Sequence, residues 1–443
     1  MGELVTCPDQ ESVVEKFKLS VPLDKFPSQI LDHAQTLKHL DLSGTGLASL
    51  PDIFGQFKSL KIAFFSNCNF EVFPKELAAC PELEMVAFRS NRIREIPENA
   101  LPSRLRWLIL TGNKIESLPK SIGKCSRLQK CMLSGNLLRE LPDEMSSCHK
   151  LGLLRLSANR IENLPSWLFE MPELGFLSFA GNPCSSERPE AASAAQALAK
   201  VPWSDVETRE LLGEGASGSI FRGDWTCAGE SRPVAVKLFK GDITSDGTPL
   251  DEMRACMDAG SHSNLIDPLG EILGHPEKKG LLMQLIPSVY KTLGLPPSME
   301  TCTRDCFLPT TTLTPHQGLR ILQGIASAAA HLHKRGIAHG DLYAHNILYK
   351  DEGHALLGDF GAASIYKDYA VEGLEVLAFG HLMEDVKNLI EVGHSESESW
   401  VLVADEMASL HTACANTSVT ARPSFGSIEH ELGGLLSKIL SVK

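Results

Sequence analysis

No stretch of this chain is apolar for long enough to cross a bilayer, which takes about 20 consecutive apolar residues, so a membrane span is not expected. The N-terminus is polar and predicts no secretory signal peptide. Clusters of positive charge are missing too. With 42 Lys and Arg against 55 Asp and Glu the formal net charge is −13, and no basic run or basic helix interrupts that balance. Recognition of a phosphate backbone needs such a patch, which argues against nucleic acid as a partner. The 12 cysteines are scattered, and the close pair Cys302 and Cys306 has no second pair to complete a metal site or a disulfide framework. Reduced thiols and a cytoplasmic location are the expectation.

What the chain does contain falls into two halves, and 443 residues suit two domains that each bury a core. In the first half Leu37, Leu60, Leu83, Leu105, Leu128, Leu151 and Leu174 recur at steps of 23 residues, with one step of 22. Each opens an L-x-x-L-x-L-x-x-N frame, as in Leu105-Arg106-Trp107-Leu108-Ile109-Leu110-Thr111-Gly112-Asn113. This is the signature of leucine-rich repeats. Six apolar-Pro pairs, from Leu50-Pro51 to Leu164-Pro165, mark the return side of the coils. Asn91, Asn113, Asn136, Asn159 and Asn182 stand where a side-chain amide can satisfy backbone groups at the turn, and Thr45 and Cys68 take that position in the first two repeats. An open solenoid end exposes core, so residues 1–36 are expected to cap the repeats of 37–184.

Alternation along each short strand leaves two outward columns. They run His39, Ile62, Met85, Trp107, Lys130, Leu153, Phe176 and Asp41, Phe64, Ala87, Ile109, Met132, Arg155, Ser178. Ile62, Phe64, Met85, Trp107, Ile109 and Met132 make this concave face more apolar than solvent alone would favour, and a protein partner or substrate is expected there. Residues 185–202, rich in Ala with Ser, Glu and Pro, are expected to form a short helical linker.

The second half carries a different kind of pattern. Leu212-Gly213-Glu214-Gly215-Ala216-Ser217-Gly218-Ser219-Ile220 is a G-x-G-x-x-G-x-I loop, followed by Val234-Ala235-Val236-Lys237. Then come His339-Gly340-Asp341-Leu342-Tyr343-Ala344-His345-Asn346 and Asp359-Phe360-Gly361. One Gly-rich loop alone would be weak evidence. Four elements in this order over about residues 203–443 resemble the eukaryotic-type protein kinase superfamily. The resemblance implies an α/β leucine-rich-repeat solenoid followed by a two-lobed α+β protein kinase-like domain with ATP in the cleft.

What the resemblance implies residue by residue is as follows. Gly213, Gly215 and Gly218 let backbone N–H groups approach phosphates, Ile220 and Ala235 line the nucleotide, and Lys237 holds its α- and β-phosphates. Glu252 is the expected partner of Lys237 on the following helix, with Asp251 as the substitute. Leu282-Met283-Gln284-Leu285-Ile286 looks like the strand entering the hinge, which puts Met283 behind the adenine and the Gln284–Leu285 backbone beside it. Asp341 orients the attacking hydroxyl, and Asn346 with Asp359 binds Mg²⁺. Glu375-Val376-Leu377-Ala378-Phe379-Gly380 is similar to the family's D-V-W-S-F-G, and Arg422-Pro423-Ser424-Phe425 to its R-P-x-F.

The departures shape the expected activity. Only thirteen residues, 362–374, separate Gly361 from Glu375, and the A-P-E that ends a long activation segment is missing. That segment forms the shelf for a peptide substrate. Gly340 replaces the Arg of H-R-D, so a phosphorylation switch of the usual kind is not expected. Tyr343 and His345 stand where Ser/Thr and Tyr kinases carry a Lys and an Arg, which leaves hydroxyl specificity unread. The expected activity is ATP- and Mg²⁺-dependent transfer to a protein hydroxyl, Ser/Thr ahead of Tyr. Two alternatives stay open: a small-molecule phosphotransferase, because His-Gly-Asp-Leu-x-x-x-Asn also resembles aminoglycoside and choline phosphotransferases, and a nucleotide-binding pseudokinase scaffold. The Pro- and Thr-rich stretch 287–315 is read as a loop placed to contribute to a substrate site.

Overall fold

A computed structural model describes residues 3–4, 14–185, 199–215, 217–241, 243–244, 246–367, 370–393 and 397–441. The chain divides into two compact units, Met1–Leu174 with Asn182–Cys184, and Gly175–Gly181 with Ser185–Lys443. Among the described residues no helix is long and apolar enough to cross a membrane.

The first unit is a ladder of three-residue parallel strands, one for each of the first six repeats, and the strand of the seventh, Phe176–Ser178, falls in the second unit. The ladder pairs His39 with Ile62, Ile62 with Met85, Met85 with Trp107, Trp107 with Lys130 and Lys130 with Leu153. The period of the leucines therefore sets the register of the strands. Leu40, Ala63, Val86, Leu108, Cys131 and Leu154 point inward and are fully buried, with a cluster of Phe54, Phe57, Phe65, Phe70 and Phe88 behind the early repeats. Phe65 and Phe88 stack at 5.1 Å. On the outward columns Ile62, Phe64, Trp107, Ile109 and Met132 are half-buried, whereas Met85, Ala87, Leu153 and Arg155 are buried.

On the return side five of the six prolines start a short 3-10 helix, Asp52–Gln56, Lys75–Ala79, Lys120–Lys124, Asp143–Ser147 and Ser166–Glu170. Proline sets φ for the first turn and has no N–H to leave unsatisfied there. The sixth, Pro97, opens only a turn in which Ala100 N–H reaches the Pro97 carbonyl at 3.2 Å. That is the repeat one residue shorter than the rest, from Leu83 to Leu105.

The second unit has a sheet-rich lobe and a helical lobe. Its six-stranded sheet runs Ala199–Pro202, Pro268–Leu273, Gly280–Gln284, Glu230–Phe239, Gly218–Cys227, Val206–Glu214. The first pair is parallel and the others antiparallel. Residues 199–202, the end of the expected linker, are thus an edge strand of this sheet, while 186–198 lie outside the described residues. Helix α1, Pro249–Ala259, starts at Thr248, whose hydroxyl accepts the Asp251 N–H. The other lobe is built on α2, Pro315–Lys334, α3, Ala370–Leu389, α4, Ser397–Cys414, and α5, Phe425–Ser441. A capping box fixes the start of α2: Thr314 Oγ1 accepts the Gln317 N–H at 3.2 Å and Gln317 Oε1 accepts the Thr314 N–H at 2.8 Å.

Candidate active site

The Gly-rich loop is the turn between the strands Val206–Glu214 and Gly218–Cys227. A side chain added at Gly213 or Gly215 would meet nothing within 4 Å, whereas one at Gly218 would fall 2.6 Å from the Leu238 carbonyl. Two of the three glycines therefore face open space, and the third is required by strand packing. The turn is closed by the Gly215 N–H to the Gly218 carbonyl at 2.9 Å, and Lys240 Nζ donates to the Gly215 carbonyl at 3.3 Å. Ile220 pairs with Lys237 across the next ladder, and Ala235 is paired with Met283, so both expected adenine-lining residues lie on neighbouring strands. Gln284 ends that strand and Leu285 follows it.

Lys237 is 5% exposed, yet its ammonium is matched. Nζ donates to Glu252 Oε1 at 2.5 Å and lies 3.5 Å from Asp359 Oδ1. Asp251 instead turns to the hydroxyl of Thr248 at 2.7 Å, as part of the helix cap. Burial works against the charge on Lys237, but Asp359 and Glu252 outweigh it and raise its pKa. Burial pushes the Glu252 carboxyl up to about 7 against the pull of Lys237, with the second carboxylate, Asp359, adding to the rise. One cation is thus shared by two carboxylates of unequal exposure: Glu252 is 5% and Asp359 47% exposed in its side chain. Burial also opposes the charge on Asp359, but Lys237 and the Gly361 N–H hold its pKa below the ordinary value.

Asp359 adopts φ 56°, a left-handed conformation that costs a residue other than glycine about 1 kcal/mol or more. The turn repays part of that cost, because Asp359 Oδ1 accepts the Gly361 N–H at 3.2 Å at the start of the 3-10 turn Phe360–Ala362. The carboxylate is aimed back at Lys237 by this geometry. In the loop before it, Asn346 Nδ2 donates to both the carbonyl and Oδ2 of Asp341, each at 2.9 Å. With both bonds to Asp341 made through Nδ2, the side-chain carbonyl oxygen is the atom of Asn346 chemically suited to a hard cation.

The base of this loop is held by a buried polar cluster. Glu375 on α3 accepts the Gly340 N–H at 2.6 Å and the His339 N–H at 3.1 Å. His333 lies between Glu375 Oε2 and the Tyr366 hydroxyl, 2.7 Å from each. Gly340 has φ +73°, and a Cβ there would sit 2.5 Å from the Ala362 carbonyl. The position of the family's arginine is therefore closed to any side chain, and the thirteen-residue segment passes from the strand Ser364–Ile365, paired with Ile337–Ala338, to α3.

Sequence alone did not identify Asp305. Its Oδ2 accepts the His345 N–H at 3.0 Å and its Oδ1 the His345 ring N–H at 2.8 Å. Neighbouring Arg304 bonds to Glu384 at 2.8 Å and to Asp385, both on α3. The signal available was two adjacent, oppositely charged residues between cysteines in a loop otherwise rich in Pro and Thr. Cys302 and Cys306 are not joined in a disulfide, and the described residues contain no cluster able to hold a metal through His, Cys, Asp and Glu.

The donor set suits a nucleotide and a hard cation: an ammonium, an exposed carboxylate and an amide oxygen below an open Gly-rich turn. Comparison with known proteins agrees with this chemistry. Residues 206–377 match the family described as protein tyrosine and serine/threonine kinase, and residues 36–57 and 103–161 match leucine-rich repeats. The chain is similar to putative L-type lectin-domain containing receptor kinase V.8 of Arabidopsis thaliana, 27% identical over 51% of this chain and 39% of that protein. It is similar also to activated Cdc42 kinase Ack of Drosophila melanogaster, 30% identical over 35% of this chain and 14% of the relative. A third relative is non-receptor tyrosine-protein kinase TNK1 of Homo sapiens, 31% identical over 36% of this chain and 23% of the relative. The matches thus span well under half the length of these relatives. The chain carries leucine-rich repeats followed by a protein kinase domain.

Proposed function

We propose that the kinase domain transfers the γ-phosphoryl group of Mg·ATP to a protein hydroxyl, Ser/Thr ahead of Tyr, and that the outward face of the repeats selects the protein, in the cytoplasm. The observation that carries this reading is the joining of Lys237, Glu252 and Asp359 in one ion-pair group, with Asp341 and Asn346 bonded to each other in the catalytic loop. Bound Mg·ATP would supply the transferable phosphoryl group and neutralise the charge that develops on it. Glu252 holds Lys237 extended so that its ammonium can face the α- and β-phosphates. Asp359 and Asn346 offer oxygen atoms to Mg²⁺. Asp341, fixed by the Asn346 amide, orients the acceptor hydroxyl and takes its proton. Gly213 and Gly215 leave room for the phosphates, and Met283, Gln284 and Leu285 border the adenine.

A second reading, transfer to a small molecule, is favoured by one observation: the chain passes from Gly361 to Glu375 in thirteen residues, too few for the usual peptide shelf. The test is transfer of labelled γ-phosphate by purified protein with Mg²⁺ and a cell lysate, beside Asp341→Ala and Asp359→Ala. Labelled protein bands that both substitutions reduce roughly 100-fold or more support the proposal. Label found only in small molecules moves the assignment to the second reading, and nucleotide binding without any transfer leaves a scaffold.

A further inference from the structure

Most of the supports of the catalytic loop follow from its own motif, but one does not. Within the second unit, the Phe176 ring lies flat on the Tyr343 ring, with centroids 3.9 Å apart and an interplanar angle of 3°. Tyr343 in turn stacks on His345 at 5.1 Å and 29°. His345 is in turn held by Asp305, which accepts its ring N–H at 2.8 Å and its backbone N–H at 3.0 Å. Arg304 ties that loop to Glu384 and Asp385 of α3. The result is a continuous series of contacts, a stack of Phe176, Tyr343 and His345 that ends in the hydrogen bonds to Asp305, and its two middle members lie within the six residues Asp341–Asn346.

Two further contacts show that the segment Gly175–Gly181 is built into this place. The Phe179 N–H donates to Ser364 Oγ at 2.8 Å, a buried bond made to the short segment after Asp359-Phe360-Gly361. A Cβ at Gly175 would lie 3.2 Å from the Ala378 nitrogen of α3, and one at Gly340 would lie 2.9 Å from the Leu177 carbonyl. Backbones approach this closely only where side chains are missing. Tyr343 is 5% exposed as a result.

We infer that Phe176 and Asp305 are positioning residues for the catalytic loop, clamping it at two points through Tyr343 and His345 and supplying the support that a long activation segment would otherwise give. Neither touches the reacting atoms. They act through the loop that carries Asp341 and Asn346, and an offset of about 1 Å in such a loop is enough to slow a reaction on the order of 100-fold. Stacked rings suit the task because they fix orientation as well as burial. The inference rests on the proposed phosphoryl transfer for its kinetic arm and on the fold alone for its dynamic arm.

The experiment uses the full chain as wild type, Phe176→Leu, Phe176→Tyr, Asp305→Asn and the Phe176→Leu/Asp305→Asn double variant. Hydrogen exchange is followed in peptides covering 339–349, and transfer of labelled γ-phosphate is measured against Mg·ATP concentration. Phe176→Leu and Asp305→Asn are expected to speed exchange in that loop about tenfold and to lower kcat about tenfold, with the KM for ATP within twofold of wild type. Phe176→Tyr keeps the ring and is expected to behave as wild type. Because the stack acts as a unit, the double variant is expected to lose less than the product of the single losses. Unchanged loop exchange in a Phe176→Leu protein that melts as wild type overturns the inference. So does a kcat loss accompanied by an equal loss in Phe176→Tyr. Absence of transfer in the wild type overturns the proposed reaction instead, and the exchange arm still decides the clamp. Should Phe176→Leu fail to fold, Asp305→Asn carries the same two readouts.

Discussion

Glu375 shows how one residue can set the geometry of the site without touching substrate. Burial alone would raise its pKa, but the bond to His333, the nearby His339 and the Gly340 N–H together hold it below the ordinary 4.5. A carboxyl whose folded pKa is depressed stabilises the fold above its ordinary pKa, and that contribution is lost as pH falls through the folded value. Glu375→Gln is therefore expected to cost about 2 kcal/mol or more at pH 7, since three bonds to a buried charge are weakened. The gap should narrow below pH 4.5, where wild type loses the contribution and the variant has none to lose. Urea melts of both proteins at pH 7, 5 and 3.5 check this, and parallel curves across that range would refute it. Gly340 makes the complementary case. Restoring the family's arginine with Gly340→Arg adds a Cβ 2.5 Å from the Ala362 carbonyl at φ +73°, and the expected outcome is a lower melting temperature and reduced transfer, with no gain of phosphorylation control.

At the scale of elements, the repeats were the most legible part of the chain because a period is a local property. Leucines 23 residues apart define both the inward column and the strand register, and Trp107 does pair with Met85 and Lys130 as the frame implies. The asparagine ladder follows the same logic. Asn136 accepts the Ile115 N–H at 3.1 Å and donates to the carbonyls of Leu110 and Leu133 at 3.0 and 2.9 Å. Thr45, in the corresponding place, donates to the Leu42 carbonyl at 2.7 Å and lies 3.5 Å from the Cys68 sulfur. Asn136→Ala is expected to destabilise the repeats by about 2 kcal/mol and Thr45→Ala by about 1 kcal/mol, because the buried Ile115 N–H is left unmatched, which costs more than one hydroxyl bond lost, while the Leu110 and Leu133 carbonyls keep Asn113 and Asn159 as donors. Chemical denaturation followed by far-UV circular dichroism gives the comparison, and equal losses would show that the ladder bonds carry no special weight.

Legibility fails where contacts have no period. The short motifs put Lys237, Asp341, Asn346 and Asp359 in order, and Glu252 is expected from the helix that follows the Lys237 strand, with Asp251 as the substitute. Phe176 on Tyr343 and Asp305 on His345 join residues 167 and 40 positions apart. Nothing in the frame of a repeat or the spelling of a catalytic loop announces either partner. The strand Ala199–Pro202 is a similar case, since a parallel pairing with Pro268–Leu273 is a tertiary choice made on an Ala-rich boundary.

For the whole molecule, the question is what a repeat array contributes to a chain that already holds a kinase domain. Charge gives no answer by itself, since a net −13 steers basic partners only over about a Debye length, near 8 Å at physiological salt. Apolar side chains on the strand ladder are a more selective feature. Ile62, Phe64, Trp107, Ile109 and Met132 are half-buried neighbours in two adjacent columns, with Lys130 Nζ 4.5 Å from the Trp107 ring. Aromatic and Met side chains are enriched at protein interfaces, and Trp is enriched at the hot spots where a few residues carry most of the binding energy. Trp107→Glu with Met132→Lys is expected to abolish capture of protein partners from lysate while the strand ladder, set by the inward leucines, stays folded and melts within a few degrees of wild type. An unchanged set of captured proteins would remove the ladder face as the partner site. Loss of capture together with loss of protein phosphorylation, but with ATP consumption retained, would show that the repeats choose the substrate and the kinase domain performs the transfer.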